Sequence, residues 1–108
     1  MIETAAFIAR AKSRMTRDEV EALIRHLAEN PDSGDVMEGT GGVRKVRFAV
    51  GGRGKSSGVR VVYYYHGAHI PLFLLTVFAK NEKSNLTMAE RNMVAKLVKD
   101  LVRSYRAH

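Results

Sequence analysis

With 108 residues, 45% apolar content and 27% charged content, the chain has the make-up of one small folded domain spanning residues 1–108. It holds no cysteine, which excludes disulfides and thiolate chemistry, and no apolar run approaches the roughly 18 residues of a membrane span. A net charge of +7 points instead to a polyanionic partner, usually a nucleic acid.

In chain order, a first strand is expected around Ile2 to Ala6, then a short helix over Phe7 to Arg14. Glu3 comes early and no long apolar core follows it, so no signal peptide is expected and the reading is a cytoplasmic protein without a membrane partner. Arg17 to Glu29 is a helix by its pattern: Val20, Leu23, Ile24 and Leu27 recur at helical spacing. Thr16 and Glu19 form a capping-box pair, Met15 and Val20 can staple the entry, and Asn30-Pro31 ends the helix. Three strands follow. Val43 to Val50 alternates, with Val46, Phe48 and Val50 on one face and Lys45 and Arg47 on the other. Val59 to His66 alternates too, setting Val59, Val61, Tyr63 and Tyr65 against Arg60, Val62, Tyr64 and His66. Ile70 to Phe78 is almost wholly apolar, as in a central strand, with Pro71 confined to its start. A last helix runs from Met88 to about Tyr105, capped by Thr87 and Glu90, with Val94, Leu97, Val98, Leu101, Val102 and Tyr105 as its apolar stripe. The expected fold is α+β: a small, mostly antiparallel sheet of three to four strands with helices packed on one face. The other face then meets solvent or a partner and carries Lys45, Arg47 and Arg60.

The charge is segregated. From Gly39 through Asn81 there is no Asp or Glu, while the same stretch holds Arg44, Lys45, Arg47, Arg53, Lys55, Arg60 and Lys80, and seven of the nine glycines fall between Gly39 and Gly58. Glycines let a backbone approach a phosphate chain closely, and cations on neighbouring strands can surround one phosphate from several sides. Fixed cations stabilise the charge that gathers on a phosphate in flight more than they stabilise the ground state. That is enough to cleave RNA without a metal, because RNA brings its own 2′-hydroxyl nucleophile.

Other chemistries fit poorly. Gly51-Gly-Arg-Gly-Lys-Ser56 superficially resembles a phosphate-binding P-loop, but Ala49 stands where the first glycine belongs and the segment joins two strands rather than a strand and a helix. His26, His66, His69 and His108 are scattered, without paired carboxylates at ligand spacing, so no metal or other cofactor is expected. No Ser-His-Asp triad can be composed.

Three blocks carry a resemblance. Asn30-Pro-Asp-Ser-Gly-Asp-Val-Met-Glu-Gly-Thr-Gly-Gly-Val-Arg-Lys-Val-Arg47 resembles the segment that opens the sheet in HigB-like toxins of the RelE/ParE superfamily. Arg53-Gly-Lys-Ser-Ser-Gly-Val-Arg-Val-Val-Tyr-Tyr64 resembles their second block, and Leu74-Leu-Thr-Val-Phe-Ala-Lys-Asn-Glu-Lys-Ser-Asn-Leu86, followed by a helix, their third. The similarity covers roughly residues 15–102 in order and spacing. It implies a RelE-like microbial RNase fold in a bacterial toxin–antitoxin module. Such toxins enter the ribosomal A site and cut messenger RNA by in-line attack of the 2′-hydroxyl, leaving a 2′,3′-cyclic phosphate and a 5′-hydroxyl. A cognate antitoxin, often a helix-turn-helix protein, holds them inactive.

On that footing Arg60 is expected to clamp the scissile phosphate, its planar fork suiting bidentate contact. Lys55 and Lys80 are expected to stabilise developing charge or protonate the leaving 5′-oxygen. Glu82, the acid of the third block, is the expected general base, with Asn81 orienting that acid or another base. Tyr64 is a candidate to stack on a nucleobase, and Arg44, Lys45, Arg47, Arg53 and Lys83 to bind ribosomal RNA. The plainer readings are that Arg60 is a solvated strand residue, that Glu82 pairs with Lys80 or Lys83 or caps the last helix, and that at least one of Tyr63, Tyr64 and Tyr65 is core. One departure stands out: RelE itself places a catalytic tyrosine just after its last strand, where this chain reads Ala79-Lys-Asn-Glu-Lys83, and the late Tyr105 belongs to the apolar stripe. The alternatives are a ParE-like gyrase-inhibiting toxin and a non-catalytic RNA- or antitoxin-binding protein.

Overall fold

The structure is a computed structural model that describes residues 1–51, 58–83 and 85–106. Its elements run β1 (Ile2–Glu3), α1 (Ala5–Ala11), α2 (Arg17–Glu29), β2 (Asp35–Val36), β3 (Val43–Phe48), β4 (Val59–Tyr64), β5 (Phe73–Ala79) and α3 (Met88–Arg106).

The helix ends follow their caps. Thr4 starts α1 earlier than periodicity suggests, because its hydroxyl oxygen accepts the Phe7 N–H at 3.3 Å while the hydroxyl donates to Leu74 O at 2.8 Å. At α2 the box is reciprocal: Glu19 N–H to Thr16 Oγ1 at 3.1 Å, and Thr16 N–H to Glu19 Oε1 at 2.8 Å. Met15 and Val20 are both buried beside it, as a hydrophobic staple requires. Thr87 and Glu90 repeat the box at α3, at 2.8 and 3.1 Å.

The sheet has five strands in the order β1-β5-β4-β3-β2. β5, β4, β3 and β2 pair antiparallel, whereas β1 pairs with β5 in parallel, Ile2 opposite Phe73. The expected three or four mostly antiparallel strands become a five-stranded mixed sheet because two strands of two residues each, β1 and β2, extend its edges. Val62 pairs with Thr76 and Tyr63 with Leu74, so Leu75 is an extra residue that bends β5.

Helices cover both faces, not one. Phe7 and Ala11 of α1 and Val20, Leu23 and Leu27 of α2 pack with Val61, Tyr63, Leu74 and Val77. On the opposite face Val94, Val98, Leu101 and Val102 of α3 pack with Val43, Val62, Tyr64, Phe73 and Phe78. The reason is in the central strands: successive residues of β4 from Val61 to Tyr64 are all buried, and a strand buried on both sides needs cover on both.

Candidate nucleic-acid cleft

The α3 face is covered at one end and open at the other. Strand pairing sets Lys45 opposite Val62, and Arg47 opposite Arg60, which in turn faces Phe78. Val62 and Phe78 belong to the α3 core, so Lys45, Arg47 and Arg60 share that face. They lie beyond the stretch of Val43, Tyr64 and Phe73 that α3 covers, and there a cavity of about 440 Å³ is lined by Ser33, Asp35, Lys45, Val46, Arg47 and Arg60. A second cavity of about 310 Å³ is lined by Asp35, Glu38, Lys45, Asn85 and Arg91 among others, so Asp35 and Lys45 border both.

The electrostatics of this cleft are unfavourable as it stands. Like charges directly opposite on adjacent strands repel, and Arg47 and Arg60 are such a pair. Among the described residues, Arg60 Nη1 is buried without a hydrogen-bond partner. Burial, and secondarily the charge of Arg47, push the Arg60 guanidinium below its ordinary pKa, although an arginine remains protonated at neutral pH. A desolvated donor facing a second cation is a prepared seat for an anion.

The remaining expected residues disperse. Arg44 lies on the other face, opposite Tyr63, and its Nη1 donates to Asp32 O at 3.1 Å and Gly34 O at 2.8 Å, bracing the turn before β2. Tyr64 is buried against α3, stacks on the His66 ring at 6.1 Å between centroids, and lines a separate cavity of about 690 Å³ beside the C-terminal half of that helix. Its ring is therefore core to the fold and away from Arg60. Lys80 and Asn81 are exposed just after β5, the Lys80 N–H still reaching Gly58 O at 3.3 Å. Lys83 pairs with Glu90 in the first turn of α3 and sits 5.3 Å from the Phe78 ring centroid, so its charge is already engaged. Arg53 and Lys55 lie outside the described residues.

Glu82 meets a different arrangement from that of a general base. Both its oxygens accept from Arg14, Oε1 from Nε at 2.6 Å and Oε2 from Nη2 at 2.7 Å, and Oε1 also accepts the Ala79 N–H at 2.7 Å. These bonds, the Arg14 guanidinium foremost, pull its pKa down to about 2. A carboxylate so held is a weak base and a structural tie.

Sequence reasoning missed Asp35, Asn85 and Arg91. Asp35 enters the cleft because β2 pairs it with Lys45, a long-range register that no local pattern announces. Asn85 donates nothing to a motif but accepts from Lys45 Nζ at 3.2 Å. Arg91 follows the Thr87–Glu90 cap by one residue and lines the second cavity, a placement that the helix pattern alone does not signal.

Among the described residues no helix is long and apolar enough to cross a membrane, and no three His, Asp or Glu side chains gather as a metal site would need. The fold and cleft together define a small basic α+β protein whose mixed sheet carries cations at an open end. The family described as RelE toxin of RelE / RelB toxin–antitoxin system matches residues 3–107, and the chain belongs to that family. It is thus a toxin of a toxin–antitoxin system with an antitoxin as partner, in a family whose toxins are endoribonucleases.

Proposed function

We propose that this toxin is a HigB-like, ribosome-dependent messenger RNA endonuclease that acts in the cytoplasm and is restrained by a helix-turn-helix antitoxin. The observation that carries the reading is the Arg47–Arg60 pair, two cations facing each other across β3 and β4 with a buried donor of Arg60 unsatisfied. An RNA phosphate between them converts the repulsion into two charge-assisted contacts.

In the proposed reaction the 2′-oxygen bonds to phosphorus while the phosphorus–5′-oxygen bond breaks. Arg60 clamps the phosphate, and Arg47 and Lys45 add charge along the strand. The proton of the 2′-hydroxyl goes to Asp35, the carboxylate that borders the cavity with Arg60, rather than to Glu82. Lys80, exposed just after β5, returns a proton to the leaving 5′-oxygen, and Lys55, which lies outside the described residues, is assigned the same work from the sequence alone. Asn81 sits beside Lys80 and accordingly orients the leaving group. Lys83 and Arg44 serve the fold.

The test is to add purified toxin to translating ribosomes and map messenger ends. A 2′,3′-cyclic phosphate at cuts made only on ribosome-bound messenger is expected, lost on Arg60→Ala. Intact messenger together with accumulating DNA breaks in the presence of gyrase overturns the reading in favour of a topoisomerase target. Intact messenger and intact DNA leave a binding protein.

A further inference from the structure

Lys45 stands where the two cavities of the cleft meet; Asp35 lies opposite it across β2 and β3, but among the described residues no carboxylate comes within ion-pair distance of its ammonium. Its ammonium is held instead by an uncharged acceptor, Asn85 Oδ1, at 3.2 Å. The same oxygen accepts the Leu86 N–H at 2.9 Å, which fixes which end of the amide faces the lysine. Lys83, two residues before Asn85, shows the other arrangement: its ammonium is paired with Glu90.

We propose that Asn85 is a positioning residue for RNA binding: it holds the Lys45 ammonium at the junction of the cavities while leaving its full charge to an RNA phosphate. The inference rests on the reading of the Arg60 cavity as the RNA site. A lysine side chain is long and loses much rotamer freedom when it docks. A neutral tether removes part of that loss beforehand without neutralising the cation, as a carboxylate would. An ammonium has three donors, so one bond to Asn85 leaves two for phosphate oxygens. The tether comes from the loop between β5 and α3, so the end of the sheet and the start of the last helix jointly set the lysine.

Asn85→Asp is the informative change, because aspartate is the same size and keeps an acceptor for the Leu86 N–H. Binding of a fluorescein-labelled oligouridylate is followed by anisotropy over a series of KCl concentrations, with circular dichroism to confirm that each variant is folded. Each phosphate contact on single-stranded RNA contributes about 0.7 to the slope of log affinity against log salt. Asn85→Asp is expected to lower that slope by about 0.7, whereas Asn85→Ala weakens binding a few-fold at an unchanged slope. In a Lys45→Met background Asn85→Asp has no further effect, since its action passes through the lysine. A wild-type slope in Asn85→Asp, or an undiminished effect in the Lys45→Met background, overturns the proposal while leaving the RNA site in place. Wild-type binding by Lys45→Met alone overturns both.

Discussion

The Arg14 guanidinium grips both carboxylate oxygens of Glu82, at 2.6 and 2.7 Å, and so fastens the turn between α1 and α2 to the turn that leaves β5. The two residues are 68 positions apart, and Glu82 also bonds the Ala79 N–H. Glu82→Gln is therefore expected to destabilise the fold by about 1 kcal/mol, the upper range for a partly exposed pair of good geometry. Because folding lowers the Glu82 pKa from 4.5 to about 2, its contribution is complete above pH 4.5 and disappears as pH falls towards 2. Urea unfolding of wild type and Glu82→Gln across that range should converge at the acid end. The folded variant should still cut messenger, whereas loss of a general base costs about 100-fold or more.

Arg60→Ala is expected to lower single-turnover cleavage on the ribosome by roughly 100-fold, the scale for removing one preorganised donor. The same change relieves repulsion with Arg47. Inorganic phosphate should thus raise the melting temperature of wild type and leave that of Arg60→Ala unmoved, because only a folded-state anion site transmits such a shift. Differential scanning calorimetry with and without phosphate checks this.

Asp35→Asn separates proton transfer from binding. It leaves the cations of the cleft in place, so RNA affinity should hold or rise. Single-turnover cleavage should fall by about 100-fold or more. Cleavage at the wild-type rate would return the base to some other group.

Tyr63 and Gly34 form a buried joint between β4 and the turn before β2. The Tyr63 hydroxyl donates to Pro31 O at 2.9 Å and accepts the Gly34 N–H at 2.8 Å. Tyr63→Phe strands both backbone groups, at a cost of about 1–3 kcal/mol. A Cβ on Gly34 would lie 2.8 Å from that hydroxyl and 3.0 Å from Lys45 O, so Gly34→Ala should destabilise as well. Chemical denaturation measures both. Since Lys45 and Asp35 adjoin the joint, Gly34→Ala should also weaken RNA binding.

Local signals in the sequence were sufficient wherever the structure is local. α2 begins and ends where its cap and its Asn-Pro stop place it, and α3 begins behind Thr87. The alternation of Lys45 and Arg47 against Val46 was enough to put the two cations on one face, and with Arg60 they form the cleft. What escaped were relations between distant residues. The near-continuous apolar run of β5 already demanded cover on both faces, yet a helix pattern does not say which face it will take. Two-residue strands such as β2 have no periodicity to read, and with β2 went Asp35. Glu82 reads as the acid of its block, but its partner Arg14 sits in the turn between α1 and α2, whose link to the end of β5 is purely spatial.

The parallel pairing of Ile2 with Phe73 has a consequence for how the toxin comes into being. A growing chain cannot seat its opening residues until β5 has been synthesised, and closing so long a loop is entropically costly. Thr4 waits on Leu74 in the same way, and Arg14 on Glu82. The N-terminal segment, made first, is thus seated only once β5 has emerged, and α3 alone among the elements is still to be made at that point.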